Sequence, residues 1–330
     1  MKIVLITLLA ILVYAIAASG QGRGSSWRAT GEREVMQHGG KDRYYRLFVP
    51  DDDSRSPRPL VVVLHGGGGN AEVASKMGFS ALAERENFVV VYPEATDGHW
   101  NDGRVGKVIA DAAGDNDDVG FIMALIAKLG REIKIDERRI FATGFSNGGI
   151  MCHRLAIEHA DVFAAIAPGI GGIAKPLGTD RKFKPSSPMS VLILQGTQDP
   201  LVPYDGGKLT VNLFPALGDR TARDHGAIVS TAEAIRLWNR ANGTLGGPAE
   251  VEKLPDTDRL DGCTLERRDW PEGRHGSRVS LIRMVGAGHT IPGARQYLPE
   301  KIIGKTCRDA DATELIWEFF SAHPKPERSR

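Results

Sequence analysis

Two unbroken apolar runs, Leu60-Val61-Val62-Val63-Leu64 and Phe88-Val89-Val90-Val91-Tyr92, constrain this chain more than any other feature. Side chains on a strand alternate between its two faces, so an unbroken run marks a strand covered on both sides. Sheets buried on both faces are parallel ones, whose crossovers lay helices over each face. The remaining pattern agrees. Residues 44–49 read as an early strand, and 140–143, 163–167, 191–195 and 280–285 as later ones. Helical periodicity covers 73–85, 119–129, about 147–158, 231–241 and 313–320, with Asp117 or Asp118 as the N-cap of the second helix. The pattern predicts one α/β domain over residues 35–322, a central, mostly parallel sheet of about eight strands flanked by helices. Residues 21–34 read as a flexible lead-in and 323–330 as a polar tail, neither expected to pack.

Before that domain, Lys2 precedes an apolar run over 3–18, and small residues follow to Gly20. The run is shorter than the about 20 residues of a comfortable membrane span. It reads as a signal peptide over 1–20, which implies secretion to the extracellular space or periplasm. An uncleaved anchor is the alternative; a lipidated one is excluded, because no cysteine ends the run.

Lysine and arginine total 42 against 41 acidic residues, a net charge of +1 with no basic stripe, which argues against nucleic acid as a partner. No stable membrane partner is expected either. The nine histidines and three cysteines are scattered without CxxC or HExxH spacing, so no metal site is expected. Cys152 reads as a small buried hydrophobe, and Cys263 and Cys307 as candidates for a bridge in an oxidising compartment.

The chemistry gathers around Gly144-Phe145-Ser146-Asn147-Gly148. GxSxG is cheap by itself, but here it lies between an expected strand and an expected helix, the context of a nucleophile elbow. A serine hydroxyl needs a base to take its proton and an acid to orient that base. In an α/β-hydrolase they follow in the order acid, then histidine, each after a later strand. Asp199, after strand 191–195, and His289, after strand 280–285, satisfy that order; Asp205 is a weaker rival for the acid. His65-Gly66-Gly67-Gly68-Gly69, after strand 60–64, suits an oxyanion loop with the Gly67 and Asn147 amides as donors. Gly66, Gly68 and Ala71 also satisfy GxGxxA, with Glu94 after the next strand, a dinucleotide pattern. That reading leaves the elbow, acid and histidine without a purpose. Asp115-Asn116-Asp117-Asp118-Val119-Gly120 lacks the ligands of a calcium loop and reads as a charged helix entry. Adjacent Cys152 and His153 face different sides of a helix and receive no role.

Together these motifs resemble the secreted esterase family named for polyhydroxybutyrate depolymerases, which also includes feruloyl and acetyl xylan esterases. The resemblance is carried by the glycine loop, the elbow, Trp100-Asn101-Asp102-Gly103-Arg104, Asp117-Asp118-Val119-Gly120-Phe121, Gln198-Asp199-Pro200-Leu201-Val202-Pro203-Tyr204, Gly286-Ala287-Gly288-His289-Thr290-Ile291-Pro292-Gly293 and Ile316-Trp317-Glu318-Phe319-Phe320. It implies the α/β-hydrolase fold, a Ser146, Asp199 and His289 triad, no cofactor, and a small or polymeric ester substrate. The esters in view are short-chain, feruloyl or acetyl, and hydroxyalkanoate ones. It also implies that Trp100, His65 and Ile291 bind substrate, Ile291 standing where members commonly have tryptophan. A serine peptidase or acyltransferase on the same fold is the alternative, and a non-catalytic carbohydrate-binding module a remoter one.

Overall fold

The computed structural model describes residues 31–51, 56–179, 181–211, 223–244 and 247–327. The expected signal peptide and most of the lead-in lie outside the described residues. The strands are β1 (Arg33–His38), β2 (Lys41–Phe48), β3 (Arg58–Leu64), β4 (Val89–Pro93), β5 (Ile135–Phe145), β6 (Ala165–Gly169), β7 (Ser190–Gly196), β8 (Gly207–Val211), β9 (Arg223–Ile228), β10 (Glu250–Lys253), β11 (Thr264–Asp269) and β12 (Val279–Val285). The α-helices are α1 (Ala71–Ser75), α2 (Phe79–Glu86), α3 (Lys107–Ala112), α4 (Asp118–Glu132), α5 (Asn147–Glu158), α6 (Thr231–Asn242), α7 (Glu300–Ile303) and α8 (Ala312–Ala322).

Ten strands form one sheet in the order β1-β2-β4-β3-β5-β6-β7-β12-β11-β10, and β8 and β9 pair separately. The strands from β4 to β12 in that order run parallel, while an antiparallel pair lies at each margin. The sheet is thus wider than the expected eight strands. Its additional strands, β1, β10 and β11, are charge-rich and lie toward the margins, so they lack the unbroken apolar runs that mark the centre. β10, Glu250-Val251-Glu252-Lys253, is exposed throughout, and a charged edge of this kind resists pairing with another chain.

Alternation on β3 divides the core. Leu60, Val62 and Leu64 pack with Phe121, Leu125, Leu155 and Trp238 from α4, α5 and α6. Val61 and Val63 face the other way, against Phe79, Leu82, Phe319 and Phe320 from α2 and α8. The single helix expected over 73–85 is two, α1 and α2, interrupted at Gly78, whose φ of 94° is left-handed. The tail packs further than expected: Lys325 N–H donates to Arg138 O at 2.9 Å, and Arg138 Nε returns a bond to Lys325 O at 3.0 Å. No helix among the described residues is long and apolar enough to cross a membrane.

Candidate active site

The motif-bearing loops follow the C-terminal ends of β3, β4, β5, β7 and β12, so the parallel sheet delivers them to one rim. At the end of β5 the chain turns into α5 within a single residue. Ser146 takes φ 57° and ψ −121°, a conformation that costs a non-glycine residue of order 1–3 kcal/mol. The glycines flanking it permit the turn. A Cβ on Gly144 would lie 2.7 Å from Leu64 Cβ and 2.7 Å from Gly148 O. One on Gly148 would lie 2.5 Å from Leu64 O and 2.6 Å from His65 O. Strand, elbow and helix meet too closely for any side chain.

The turn lifts the serine hydroxyl toward His289. Ser146 Oγ lies 3.0 Å from His289 Nε2, and His289 Nδ1 lies 2.8 Å from Asp199 Oδ2. A carboxylate only accepts, so Nδ1 carries the proton and Nε2 offers its lone pair to the serine. Asp199 is itself fixed: Oδ1 accepts from Leu201 N–H and Val202 N–H, both at 2.8 Å, and Oδ2 from Gln195 Nε2 at 3.3 Å. Tyr297 Oη donates to His289 O at 2.9 Å, which steadies the loop that bears this imidazole. All three residues named from the sequence order come together, and Asp205 is exposed to solvent.

The glycine loop stands against the elbow. A Cβ on Gly66 would lie 3.7 Å from Ser146 Cβ, and one on Gly67 would lie 3.6 Å from Asn147 Cβ. Asn147 begins α5, so its backbone N–H is among the first-turn donors that have no partner within the helix. This arrangement suits the two donors chosen for an oxyanion.

Two other assignments need correction. His65 is fully buried; its Nδ1–H donates to Gly66 O at 2.8 Å and its Nε2 accepts from Ala95 N–H at 3.0 Å. Both nitrogens are spent on the loops after β3 and β4, and burial lowers the imidazole pKa to about 4. Trp100 is likewise fully buried, its Nε1–H donating to His65 O at 2.9 Å. Neither side chain can reach a substrate; both build the floor beneath the glycine loop. Ile291 is half-buried against the core on the α8 side.

The Trp100-Asn101-Asp102 segment is bonded to the Asn147 side chain. Asn147 Oδ1 accepts from Trp100 N–H at 2.8 Å, and its Nδ2 donates to Trp100 O and, at 2.6 Å, to Asp102 Oδ2. Asp102 forms a buried pair with Arg104, whose Nη1 also holds His225 O at 3.0 Å. Asp117 caps α4 by accepting from Gly120 N–H, and Asp118 pairs with Arg43 at 2.6 Å while accepting from Asn101 N–H. The acidic run is therefore the charged helix entry expected. Burial pushes the Asp118 carboxyl up, against the pull of Asn101 N–H and Arg43. Glu94, the acid of the dinucleotide pattern, pairs with Arg33 and accepts from Ala71 N–H at the start of the five-residue α1. His99, which the motif reading passed over, places its Nε2 3.1 Å from a Cβ built on Gly67.

Cys152, Cys263 and Cys307 are buried free thiols, so the bridge considered for the last two is not formed. The Cys263 thiol faces Asp261 O at 3.8 Å and that of Cys307 faces Asp309 Oδ2 at 3.3 Å. Burial pushes Cys263 up to about 11 and raises Cys307 as well. Asp261, Cys307 and Asp309 bring donor atoms within 4.8 Å of one another. Those carboxylates already accept backbone amides: Cys263 and Arg308 to Asp261, Thr257 and Asp258 to Asp309. The cluster ties two loops together.

A family model described as Esterase PHB depolymerase matches residues 43–234. The chain belongs to this esterase family. It is a carboxylic ester hydrolase. "Putative esterase NocK" of Nocardia uniformis subsp. tsuyamanensis is 31% identical over 88% of this chain and 82% of its own length. "Probable feruloyl esterase C" of Aspergillus flavus is 31% identical over 64% of this chain and 75% of its own. Among solved structures, an acetyl xylan esterase from Aspergillus awamori superposes with a TM-score of 0.56 at 15% identity, covering 88% of this chain and 99% of that one. That likeness concerns the fold, which is the α/β-hydrolase type.

Proposed function

We propose that the protein is a secreted serine esterase that works through Ser146, His289 and Asp199. The observation that carries this reading is the unbroken line from Ser146 Oγ to His289 Nε2, 3.0 Å, and from His289 Nδ1 to Asp199 Oδ2, 2.8 Å. His289 takes the hydroxyl proton as Ser146 Oγ attacks the ester carbonyl carbon. The negative charge that moves onto the carbonyl oxygen is met by the Gly67 and Asn147 N–H groups, aided by the N-terminus of α5. Asp199 holds the imidazolium in place. The tetrahedral centre collapses, His289 gives its proton to the departing alcohol, and the acyl group stays on Ser146. Water then repeats the sequence: His289 takes its proton, the new centre collapses, and acid and free serine are released.

For substrate, soluble short-chain, acetyl or hydroxycinnamoyl esters are favoured over crystalline polyester, in keeping with the feruloyl and acetyl xylan esterases among its relatives. Ile291, where relatives were expected to carry a flat tryptophan, favours a pocket of different shape. Turnover of acetyl, butyryl and feruloyl esters, measured against clearing of a polyhydroxybutyrate suspension per mole of protein, tests this. Faster release from the polymer than from every soluble ester contradicts it. Secretion rests on the apolar run over 3–18. Mass spectrometry of protein from the secreting host is expected to find a mature chain that starts between residues 18 and 21; a mass that includes residues 1–17 contradicts it.

A further inference from the structure

Toward the β10 edge, α6 covers the sheet incompletely. Side chains alternate along β11. Leu265 and Arg267 turn to the α8 side, where Leu265 joins the core and Arg267 pairs with Glu318. Glu266 and Arg268 therefore face α6. The register sets Glu266 opposite Arg283 and Arg268 opposite Leu281 on β12, and Trp270 continues the row just past β11. Above them α6 presents Ala232 and Ile235, three residues apart and so on one face of the helix. Between helix and strands lies a cleft of about 340 Å³, bounded also by Tyr204. That volume falls in the range of small-molecule sites, about 300–1,000 Å³. Ser146, Asp199, His289, Gly67 and Asn147 do not line it.

The chemistry of this cleft is unbalanced. Glu266 Oε2 accepts from Arg268 Nη2 at 2.8 Å and from Arg283 Nη1 at 3.1 Å. One carboxylate thus serves two guanidinium groups, and a positive charge is left over between them. Arg268 Nε–H is buried and has no acceptor among the described residues. A buried donor without a partner carries a desolvation cost that an incoming acceptor removes. The walls around it are apolar or aromatic: Ile235 and Leu281 are buried, and Trp270 and Tyr204 are half-buried. A neutral sugar leaves the charge unmatched, and a bare inorganic anion leaves the apolar walls unmatched. A flat body that carries one carboxylate matches both.

We propose that this cleft is a second ligand site, for a small aromatic carboxylate whose charged end meets Arg268 and whose ring lies against Trp270 and Ile235. The assignment stands apart from the triad and does not depend on how the ester is cleaved.

The test is isothermal titration calorimetry of the full chain with benzoate and with benzamide, its neutral isostere. Wild type is expected to bind benzoate saturably and at least about tenfold more tightly than benzamide, the factor expected of a charge-assisted hydrogen bond. Arg268→Gln is expected to remove that preference and to leave kcat/KM for p-nitrophenyl acetate, measured without benzoate, unchanged. Ala232 is exposed at the rim of the cleft, so Ala232→Trp should fold and should weaken benzoate binding by obstructing entry. Circular dichroism confirms that each variant is folded; if Arg268→Gln is not, Ala232→Trp decides alone. The proposal is overturned by wild type without saturable benzoate binding, by equal affinity for benzoate and benzamide, or by wild-type benzoate affinity in either folded variant, which would place the bound acid elsewhere on the chain.

Discussion

Asn147 Nδ2 donates to Asp102 Oδ2 across 2.6 Å, and Asp102 is held in turn by Arg104 at 2.7 Å. The residue that follows Ser146 is therefore anchored by a buried ion pair. With both Trp100 contacts, this anchor fixes the first turn of α5 and the direction of its amides.

Asp102→Asn should separate this positioning role from chemistry. Removing one charge of a buried pair leaves the other uncompensated, commonly at a cost of about 3–5 kcal/mol; retained hydrogen bonding puts the expected loss at the lower end. Thermal unfolding should shift down accordingly. In the fraction that remains folded, kcat should fall about tenfold with a smaller change in KM, since a misdirected amide weakens transition-state contacts more than ground-state ones. An unchanged melting temperature and kcat would contradict the anchor.

Gly148→Ala should be far more damaging than an ordinary glycine substitution in a helix. Its Cβ would sit 2.5 Å from Leu64 O and 2.6 Å from His65 O, and backbone on β3 cannot move aside cheaply. Overpacking of this kind costs typically 1–3 kcal/mol, against about 1 kcal/mol of gain in helix propensity. Denaturant unfolding should show net loss of stability; a gain would show that the close approach is wrong.

The central strands, the elbow turn and the meeting of Ser146, Asp199 and His289 were legible in the sequence, because each is written in local terms. Unbroken apolar runs mark β3 and β4, and the expected helix over 147–158 coincides with α5. Which way a motif residue points is not local. His65 and Trp100 lie in segments that reach the site, yet their side chains turn into the core because each satisfies backbone groups of the neighbouring loop. His99 precedes Trp100 by one residue and faces the opposite environment, with no periodicity to announce it. The marginal strands escaped notice because Thr264-Leu265-Glu266-Arg267-Arg268-Asp269 carries one buried apolar residue, Leu265, and no apolar run. The interruption at Gly78 was visible as a glycine, but only its left-handed backbone ends the helix.

Acid should weaken the fold through His65 and His153. Burial lowers His65 from 6.5 to about 4 and His153 to about 3. Between those values the unfolded chain binds protons that the folded chain refuses, so stability rises with pH there. The contribution of His65 is complete above pH 6.5 and is lost as pH falls toward 4, roughly 3 kcal/mol in all. His65→Asn should flatten that part of the stability curve, measured by denaturant unfolding at a series of pH values. A slope identical to wild type would show that His65 is not the titrating group.

Truncation after Ala322 tests the packing of the tail. It removes the reciprocal bonds between Lys325 and Arg138, worth about 1 kcal/mol each at most. A chain of this size should lose about 3 °C in melting temperature. No loss would return the tail to the unpacked state its composition suggested.

The central claim is that Ser146 is the group that becomes acylated. Intact-mass measurement after treatment with a fluorophosphonate tests it most directly, on wild type and on Ser146→Ala confirmed as folded by circular dichroism. The account predicts one adduct on wild type, recovered on the peptide that contains Ser146, and none on the variant. Equal labelling of the variant, or an unlabelled wild type, would contradict it.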